Sequence, residues 1–144
     1  MQAPGPSFQS RVRSVIEYRS AADGLVPSQL QGFFVGWPSP PSPERQLEIL
    51  RGSYAVEVAL DGEQVVGFAT ATSDGVLSAY IPLLEVLPDR QGQGIGTELM
   101  RRLLARLDNL YMVDLCCDAE LEPFYARLGL RALDRGMGIR NRTA

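Results

Sequence analysis

Apolar and polar residues alternate with a period of two through the middle of the chain, which predicts a run of β-strands. Two Asp-Gly pairs punctuate this run and are typical of tight turns between antiparallel strands. The predicted strands cover residues 54–60, 64–73 and 76–87, with turns at Asp61-Gly62 and Asp74-Gly75. Pro82 interrupts the third strand. Because proline cannot donate a ladder hydrogen bond, we expect a bulge or a local loss of pairing there.

Beyond these strands the apolar residues change to a four-residue spacing, at Ile95, Leu99, Leu103 and Leu107. This spacing predicts a helix from Thr97 to about Leu107 with one face in the core. The opposite face carries three arginines, which form either an ordinary solvated surface or a contact for the acidic end of a nucleotide. These arginines are Arg101, Arg102 and Arg106.

The remaining elements are predicted from their capping residues and breakers. Short helices are predicted over residues 27–34 and 43–51, and strands over 11–18, 111–117 and 137–141. Asp118 is expected to cap a helix that ends at Gly129. The proline-rich segment from Trp37 to Pro43 is predicted to be a connector, and residues 1–10 are predicted to be a frayed terminus. The whole chain, residues 1–144, is therefore predicted to be one α/β domain with a mixed central sheet and helices on both faces.

Composition narrows the possible functions. The chain has 144 residues, 45% hydrophobic and 22% charged, and a net charge of −3, which argues against a broad nucleic-acid surface. No apolar run is long enough for a membrane span, and no signal peptide is recognisable. Cys116 and Cys117 are adjacent and are expected to be reduced, which favours the cytoplasm. Histidine is absent, so Ser-His-Asp and Cys-His catalysis are excluded, and a metal site is not expected.

The most informative segment is glycine-rich and runs from Gln91 to Thr97, between a predicted strand and a predicted helix. Glycine allows positive φ and close approach of the backbone to a ligand. The first amides of a helix are unpaired and carry partial positive charge. This arrangement predicts a site for a phosphate or a pyrophosphate. A glycine-rich turn with no ligand is the alternative.

The spacing of the glycines restricts the phosphate ligand. Thr97 and Leu99 occupy the positions where a dinucleotide fingerprint needs glycine, and a Walker A loop needs a lysine that this chain does not contain. Gln91, Gly94 and Gly96 fit the pattern Q/R-x-x-G-x-G. The segment resembles the coenzyme A pyrophosphate loop of GNAT-family N-acetyltransferases. An enzyme that uses another phosphate ligand, such as ATP or NAD, is a further alternative.

A second motif, Pro123 to Leu130, is similar to the F-Y-x-x-L-G-F segment that ends the GNAT fold. Together the two motifs extend the resemblance over residues 54–140. It implies a fourth strand that is bulged and splays away from the fifth, leaving a gap for the pantetheine arm.

The resemblance also implies roles for particular residues. Acetyl-CoA would be the acyl donor, no metal would be needed, and Tyr125 would protonate the departing thiolate. The family often has asparagine at the position of Asp118, and a carboxylate cannot donate as an amide does. Asp118 is therefore either a cofactor contact or only a helix cap, and Tyr125 either an acid or a packed aromatic. The implied cofactor-binding set is Leu84, Glu85, Val86, Gln91, Gly92, Gln93, Gly94, Ile95, Gly96, Thr97 and Asp118.

The implied reaction is direct attack of a primary amine on acetyl-CoA in a ternary complex. Phe33, Trp37 and Tyr80 are the candidate acceptor contacts, although Phe33 is equally suited to the core. A small molecule, a peptide N-terminus and a lysine side chain all remain open as acceptors, and homodimerisation through edge strands is a further expectation. A non-catalytic acyl-CoA-binding module is the alternative function. The general base is unassigned, with these candidates: Tyr80, Glu85, Asp114, Glu17, Tyr18 or a chain of water molecules.

Overall fold

The computed structural model describes residues 15–140, which form one mixed β-sheet with helices packed on it. The strands lie in the order β1-β2-β3-β4-β5. The pairs β1-β2, β2-β3 and β3-β4 are antiparallel, and β5 is parallel to β4. Their bounds are Glu17–Arg19 (β1), Ala55–Asp61 (β2), Gln64–Ser73 (β3), Ser78–Val86 (β4) and Met112–Asp114 (β5).

Three α-helices accompany the sheet: α1 over Pro43–Gly52, α2 over Ile95–Arg106 and α3 over Glu122–Ala126. Single 3-10 turns lie at Pro27–Gln29, Pro88–Arg90 and Ala119–Leu121. The Ser42 side chain accepts a hydrogen bond from the Arg45 amide, so α1 begins where its capping residue predicts.

The two faces of the sheet are covered by different segments. Gly67 of β3 faces α2, because a Cβ atom there would lie 3.0 Å from Leu99 and 3.2 Å from Ile95. The next residue, Phe68, faces the other way and packs edge-on against Phe33, with ring centroids 4.9 Å apart. The segment from Pro27 through α1 therefore covers the face opposite α2.

The bulge predicted at Pro82 is confirmed. Thr70 pairs with Leu83 and Thr72 pairs with Tyr80, so β4 carries one more residue than β3 across this stretch. The pairing of β4 with β5 is restricted to residues 78–80 and 112–114. Beyond Tyr80 the two strands diverge, which confirms the splayed fourth strand.

Several predicted elements differ from the structure. Residues 27–34 form only one 3-10 turn, because Gly32 and Phe34 adopt positive φ. Helix α2 begins at Ile95 rather than Thr97, and β5 is shorter than residues 111–117 since β4 turns away from it. No strand forms over 137–140, where Gly136 and Gly138 interrupt the apolar alternation; residue 141 lies outside the described range. The predictions for residues 1–10, and for 11–14 of the first strand, also fall outside it.

Candidate active site

The outer edge of β4 is unpaired from Ile81 to Val86 within the described part of the chain. The Leu87 amide donates to the Val66 carbonyl at 2.9 Å, so the backbone N–H of Leu87 points at β3. In an antiparallel ladder this role alternates along the strand. The backbone groups of Leu84 and Val86 consequently face away from β3, toward the gap between β4 and β5.

An anion site lies beside this edge, at the N-terminus of α2. Gly94 is the N-cap residue and adopts a left-handed conformation with φ of 83°; Gly92 also has positive φ. The Glu98 amide donates to the Gly94 carbonyl at 3.1 Å, and no side chain caps the helix. The amides of Ile95, Gly96 and Thr97 precede this first helical hydrogen bond, so they are free to bind an anion.

Gly96 brings the anion site and the open edge together. A Cβ atom on this residue would lie 3.7 Å from Val86, 3.9 Å from Leu84 and 3.7 Å from Phe124 of α3. Helix α2, strand β4 and helix α3 therefore meet at one point. With no side chain at position 96, the space beside its amide stays open to a ligand.

Side-chain hydrogen bonds hold the glycine-rich loop against the sheet. The Gln91 Nε2 donates to the Val86 carbonyl at 3.2 Å, and the Gln93 Nε2 donates to the Asp89 carbonyl at 3.4 Å. Just before the loop, Arg90 forms an ion pair with Asp61 at 2.5 Å. The two glutamines thus use their side chains to position the loop, and a ligand would meet its backbone.

Tyr125 lies on α3 and is half-buried against Phe124, with ring centroids 4.9 Å apart and the rings nearly perpendicular. Burial raises the pKa of the Tyr125 hydroxyl, and the nearby Cys117 thiol raises it further. The hydroxyl is therefore protonated at neutral pH, as a proton donor must be.

The three candidate acceptor contacts differ in accessibility. Phe33 is only 8% exposed and packs against Phe68, whereas Trp37 and Tyr80 are 44% and 41% exposed. Tyr80 lies four residues before Leu84, so simple alternation predicts that both side chains lie on one face of the sheet; the bulge makes this prediction wrong. Tyr80 pairs with Thr72, on the face of Phe68, while Leu84 pairs with Ala69 on the face of α2.

The side chain of Glu85 also points to the face opposite α2, since Glu85 pairs with Phe68. Its burial raises the pKa of the carboxyl, and a hydrogen bond from the Phe34 amide lowers it in part. Phe34 adopts a φ of 60° although it is not glycine. This contact involves the backbone of a non-helical loop, and no sequence pattern predicts it.

The arginines of α2 have partners within the chain, whereas Asp118 makes no capping hydrogen bond. Asp118 precedes the 3-10 turn Ala119–Leu121, but its side chain makes no capping hydrogen bond. Arg101 and Arg102 pair with Glu98 at 2.6 and 2.7 Å. Arg106 pairs at 3.1 Å with Glu57, which is fully buried. The arginine-rich face of α2 is therefore largely engaged with residues of the chain itself.

Residues 15–140 also lack two features that other classes of protein contain. No helix in this range is both long and apolar enough to cross a membrane. Within the same range, no group of three or more histidine, cysteine, aspartate or glutamate side chains is arranged to hold a metal ion.

Known proteins resemble this chain in sequence and in fold. The model of the acetyltransferase (GNAT) family matches residues 22–130. The uncharacterized N-acetyltransferase ycf52 of Gracilaria tenuistipitata var. liui is 33% identical over 102 residues, which cover 66% of this chain and 55% of that protein. The histone acetyltransferase TAP1 of Glycine max is 30% identical over 116 residues, which cover 72% and 50%. The chain thus spans about half the length of these curated relatives.

Solved structures agree with this family match. A Deinococcus radiodurans protein considered to be an acetyltransferase superposes with a TM-score of 0.84 and 47% identity, covering 88% of each chain. A GNAT-family acetyltransferase of Streptococcus pneumoniae superposes with a TM-score of 0.72 and 31% identity, covering 89% of this chain and 99% of that one.

Proposed function

The chain belongs to the GNAT family of acetyltransferases, and on this premise we propose that it transfers the acetyl group of acetyl-CoA to a primary amine. The amine attacks the thioester directly while both substrates are bound. The observation that carries this proposal is the meeting of three free helix amides with the open edge of β4 at Gly96. One site there binds a pyrophosphate, and the adjoining strand edge binds an extended, amide-containing arm.

The binding residues act mainly through their backbone. The amides of Ile95, Gly96 and Thr97 hold the pyrophosphate, and the loop from Gln91 to Gly94 brings them close to it. The backbone N–H and C=O of Leu84 and the Val86 amide pair with the pantetheine arm as a neighbouring strand would, while the Val86 carbonyl accepts from Gln91. An amide of this edge also donates to the thioester oxygen, where negative charge develops as the amine attacks.

Tyr125 supplies the proton that the departing thiolate needs. Its hydroxyl stays protonated through neutral pH because burial raises its pKa. The phenol lies on α3, whose Phe124 contacts the position of Gly96, so α3 brings the acid to the end of the open edge. Transfer forms the C–N bond and breaks the C–S bond, and the thiolate leaves as the thiol of CoA.

The acceptor approaches from the face opposite α2. Trp37 and Tyr80 are the exposed aromatic side chains available there, and they suit an aromatic amine or a cationic one that stacks on a ring. Acetylation in the cytoplasm is part of the proposal, because the exposed Cys116 and Cys117 suit a reducing compartment. Subcellular fractionation of the native host tests this location.

The proposal is tested by incubating the purified chain with acetyl-CoA and a panel of amines. The panel contains small aliphatic and aromatic amines, peptides with free N-termini, and peptides with one free lysine. Release of free CoA thiol is followed, and acetyl-CoA binding is measured by calorimetry. Amine-dependent thiol release supports transfer, binding without release favours the non-catalytic module, and absence of binding refutes the role of the glycine-rich loop.

The Tyr125→Phe variant tests the acid. Removing the hydroxyl should lower kcat by about 10²–10⁴-fold, the usual contribution of a positioned general acid. The acetyl-CoA affinity should stay the same, since the ring remains and the loop is untouched. A kcat equal to that of the wild type would remove Tyr125 from the mechanism.

A further inference from the structure

The proposed reaction needs a group that takes a proton from the attacking amine, and the structure points to one carboxylate. We propose that Glu85 is the general base of this enzyme. This inference rests on the proposed function and assigns a residue to a step that the sequence left open between Tyr80, Glu85, Asp114, Glu17, Tyr18 and water.

The first reason is the place of Glu85 on β4. It lies between Leu84 and Val86, the two residues whose backbone groups face the gap, while its own side chain points to the face of Phe68. A donor held along the edge with its pyrophosphate at α2 leaves the acceptor to approach from the opposite side, where the covering segment leaves Trp37 and Tyr80 exposed. The carboxylate is therefore next to the reacting edge and on the side from which the amine arrives.

The second reason is the surroundings of the carboxylate. Glu85 is half-buried, and the Phe34 amide donates to it. Among residues 15–140 no arginine forms an ion pair with it. A half-buried carboxylate without a cation is destabilising, and such groups are found preferentially at functional sites. Burial also raises its pKa, which makes it a stronger base than an exposed glutamate.

A third observation is an unpartnered polar atom on the same face. Thr70 is fully buried, and its Oγ1 has no hydrogen-bond partner among the described residues. Thr70 pairs with Leu83 and is thus the diagonal neighbour of Glu85 on this face of the sheet. An unsatisfied hydroxyl is rare in a protein core, and this one marks the buried surroundings of Glu85 as polar.

Three of the other candidate bases fit less well. Tyr80 shares this face, but its hydrogen bond with Cys116 and its partial burial raise its pKa, so it stays protonated at neutral pH. Tyr18 packs against Arg102 on the face of α2, 4.7 Å from the guanidinium to the ring centre. Glu17 pairs with Arg19 at the far edge of the sheet.

The proton balance of the step is complete. As the C–N bond forms, the nitrogen loses a proton to the Glu85 carboxylate. As the C–S bond breaks, the Tyr125 hydroxyl gives a proton to the thiolate. The enzyme is then left with a neutral Glu85 and an ionised Tyr125, and one proton passes between them through solvent before the next turnover.

The Glu85→Gln variant separates a base from a positioning residue. Glutamine keeps an oxygen that accepts from the Phe34 amide, so the loop that contains Phe34 stays in place. A neutral amide side chain cannot take the proton of the attacking amine at neutral pH. We expect kcat to fall about 10²–10⁴-fold with the most active amine of the panel. The acetyl-CoA affinity measured by calorimetry should not change. Glu63→Gln, at an exposed site in the β2–β3 turn, is the matched control and should retain wild-type activity.

The pH profile gives an independent readout. A base acts only when ionised, so the wild-type kcat should rise with pH through a pKa above 4.5 and then level. With a weakly basic amine that is neutral over the whole range, this acidic limb should vanish in Glu85→Gln. Glu85→Gln with wild-type kcat, alongside an inactive Glu85→Ala, would overturn the proposal in favour of a positioning role. A wild type that acetylates no amine would overturn the proposed function itself, and the base with it.

Discussion

Gly67 is the position where α2 comes closest to the sheet, and replacing it with alanine should push the two apart. A Cβ atom there would lie 3.0 Å from the Leu99 side chain, 3.1 Å from the Glu85 carbonyl oxygen and 3.2 Å from the Ile95 side chain. The two side chains belong to α2 and the oxygen belongs to β4. None of the three can move freely, because Leu99 and Ile95 are buried and the carbonyl is part of the strand.

The size of the effect follows from these contacts. Added volume in a well-packed core costs about 1–3 kcal/mol. Replacing glycine in a strand with alanine would otherwise be mildly favourable, so the overpacking must exceed a gain of roughly 0.5–1 kcal/mol. We expect a net loss of about 1–2 kcal/mol, equivalent to about 3–8 °C in Tm for a domain of this size.

Denaturant unfolding of Gly67→Ala and the wild type measures this loss as a change in midpoint at constant slope. Gly52→Ala is the matched control, since a Cβ atom there meets nothing within 4 Å and its φ is not in the left-handed region. That variant should be as stable as the wild type or slightly more stable. Acetyl-CoA affinity should fall in Gly67→Ala, because Ile95 supplies one of the free amides of the anion site.

Two results would refute this account of the packing. A Gly67→Ala protein at least as stable as the wild type would show that α2 can retreat from the sheet without cost. Additive losses in a Gly67→Ala/Leu99→Ala double variant would show that the two side chains do not compete for the same space.

Three further predictions concern charged residues. Arg106→Met should lower the free energy of unfolding by about 2–3 kcal/mol, because it leaves the fully buried Glu57 carboxylate without its cation. A much smaller loss in the Glu57→Leu/Arg106→Met double variant would support this cause, and an equal loss would contradict it. Glu85→Gln should be more stable than the wild type at pH 7, because the raised pKa of Glu85 means that wild-type stability is lost as pH rises from 4.5 through the folded-state pKa. This advantage should disappear below pH 4.5, and a constant advantage from pH 3 to pH 7 would be inconsistent with the raised pKa. Asp118→Ala should change unfolding free energy by less than about 0.5 kcal/mol, since the side chain makes no capping bond, and a larger loss would identify a contact that this geometry lacks.

Local signals in the sequence were sufficient for most of the framework. The alternation over residues 64–73 matched β3 at both ends, and Ser42 with Pro43 marked the start of α1. Pro82 predicted the bulge because proline has no N–H to donate and is therefore found in a sheet only at edges, strand ends and bulges. The family resemblance, first supported by Gln91, Gly94 and Gly96, was confirmed by the family match over residues 22–130.

The error in the orientation of Tyr80 has a specific cause: alternation is counted along a single strand, whereas the face of each residue is decided by its pairing. Counting alone puts Tyr80 on the face of Leu84, and one additional residue in the bulge reverses this. Glu85 could be placed on the opposite face from Leu84 by counting, because no bulge separates the two. Its contact with Phe34 could not be found, since the positive φ of Phe34 comes from tertiary packing rather than from residue type.

The open edge of β4 also has a consequence for the behaviour of the protein in solution. A row of unpaired N–H and C=O groups on a strand is a template for pairing with any other extended chain, and proteins usually protect such edges. Here the groups that would receive a ligand and the groups that invite self-association are the same atoms, between Ile81 and Val86. Pro82, which has no N–H to offer, already interrupts this row. Acetyl-CoA bound along the edge would therefore also prevent self-association, and the rate of aggregation would depend on the concentration of acetyl-CoA.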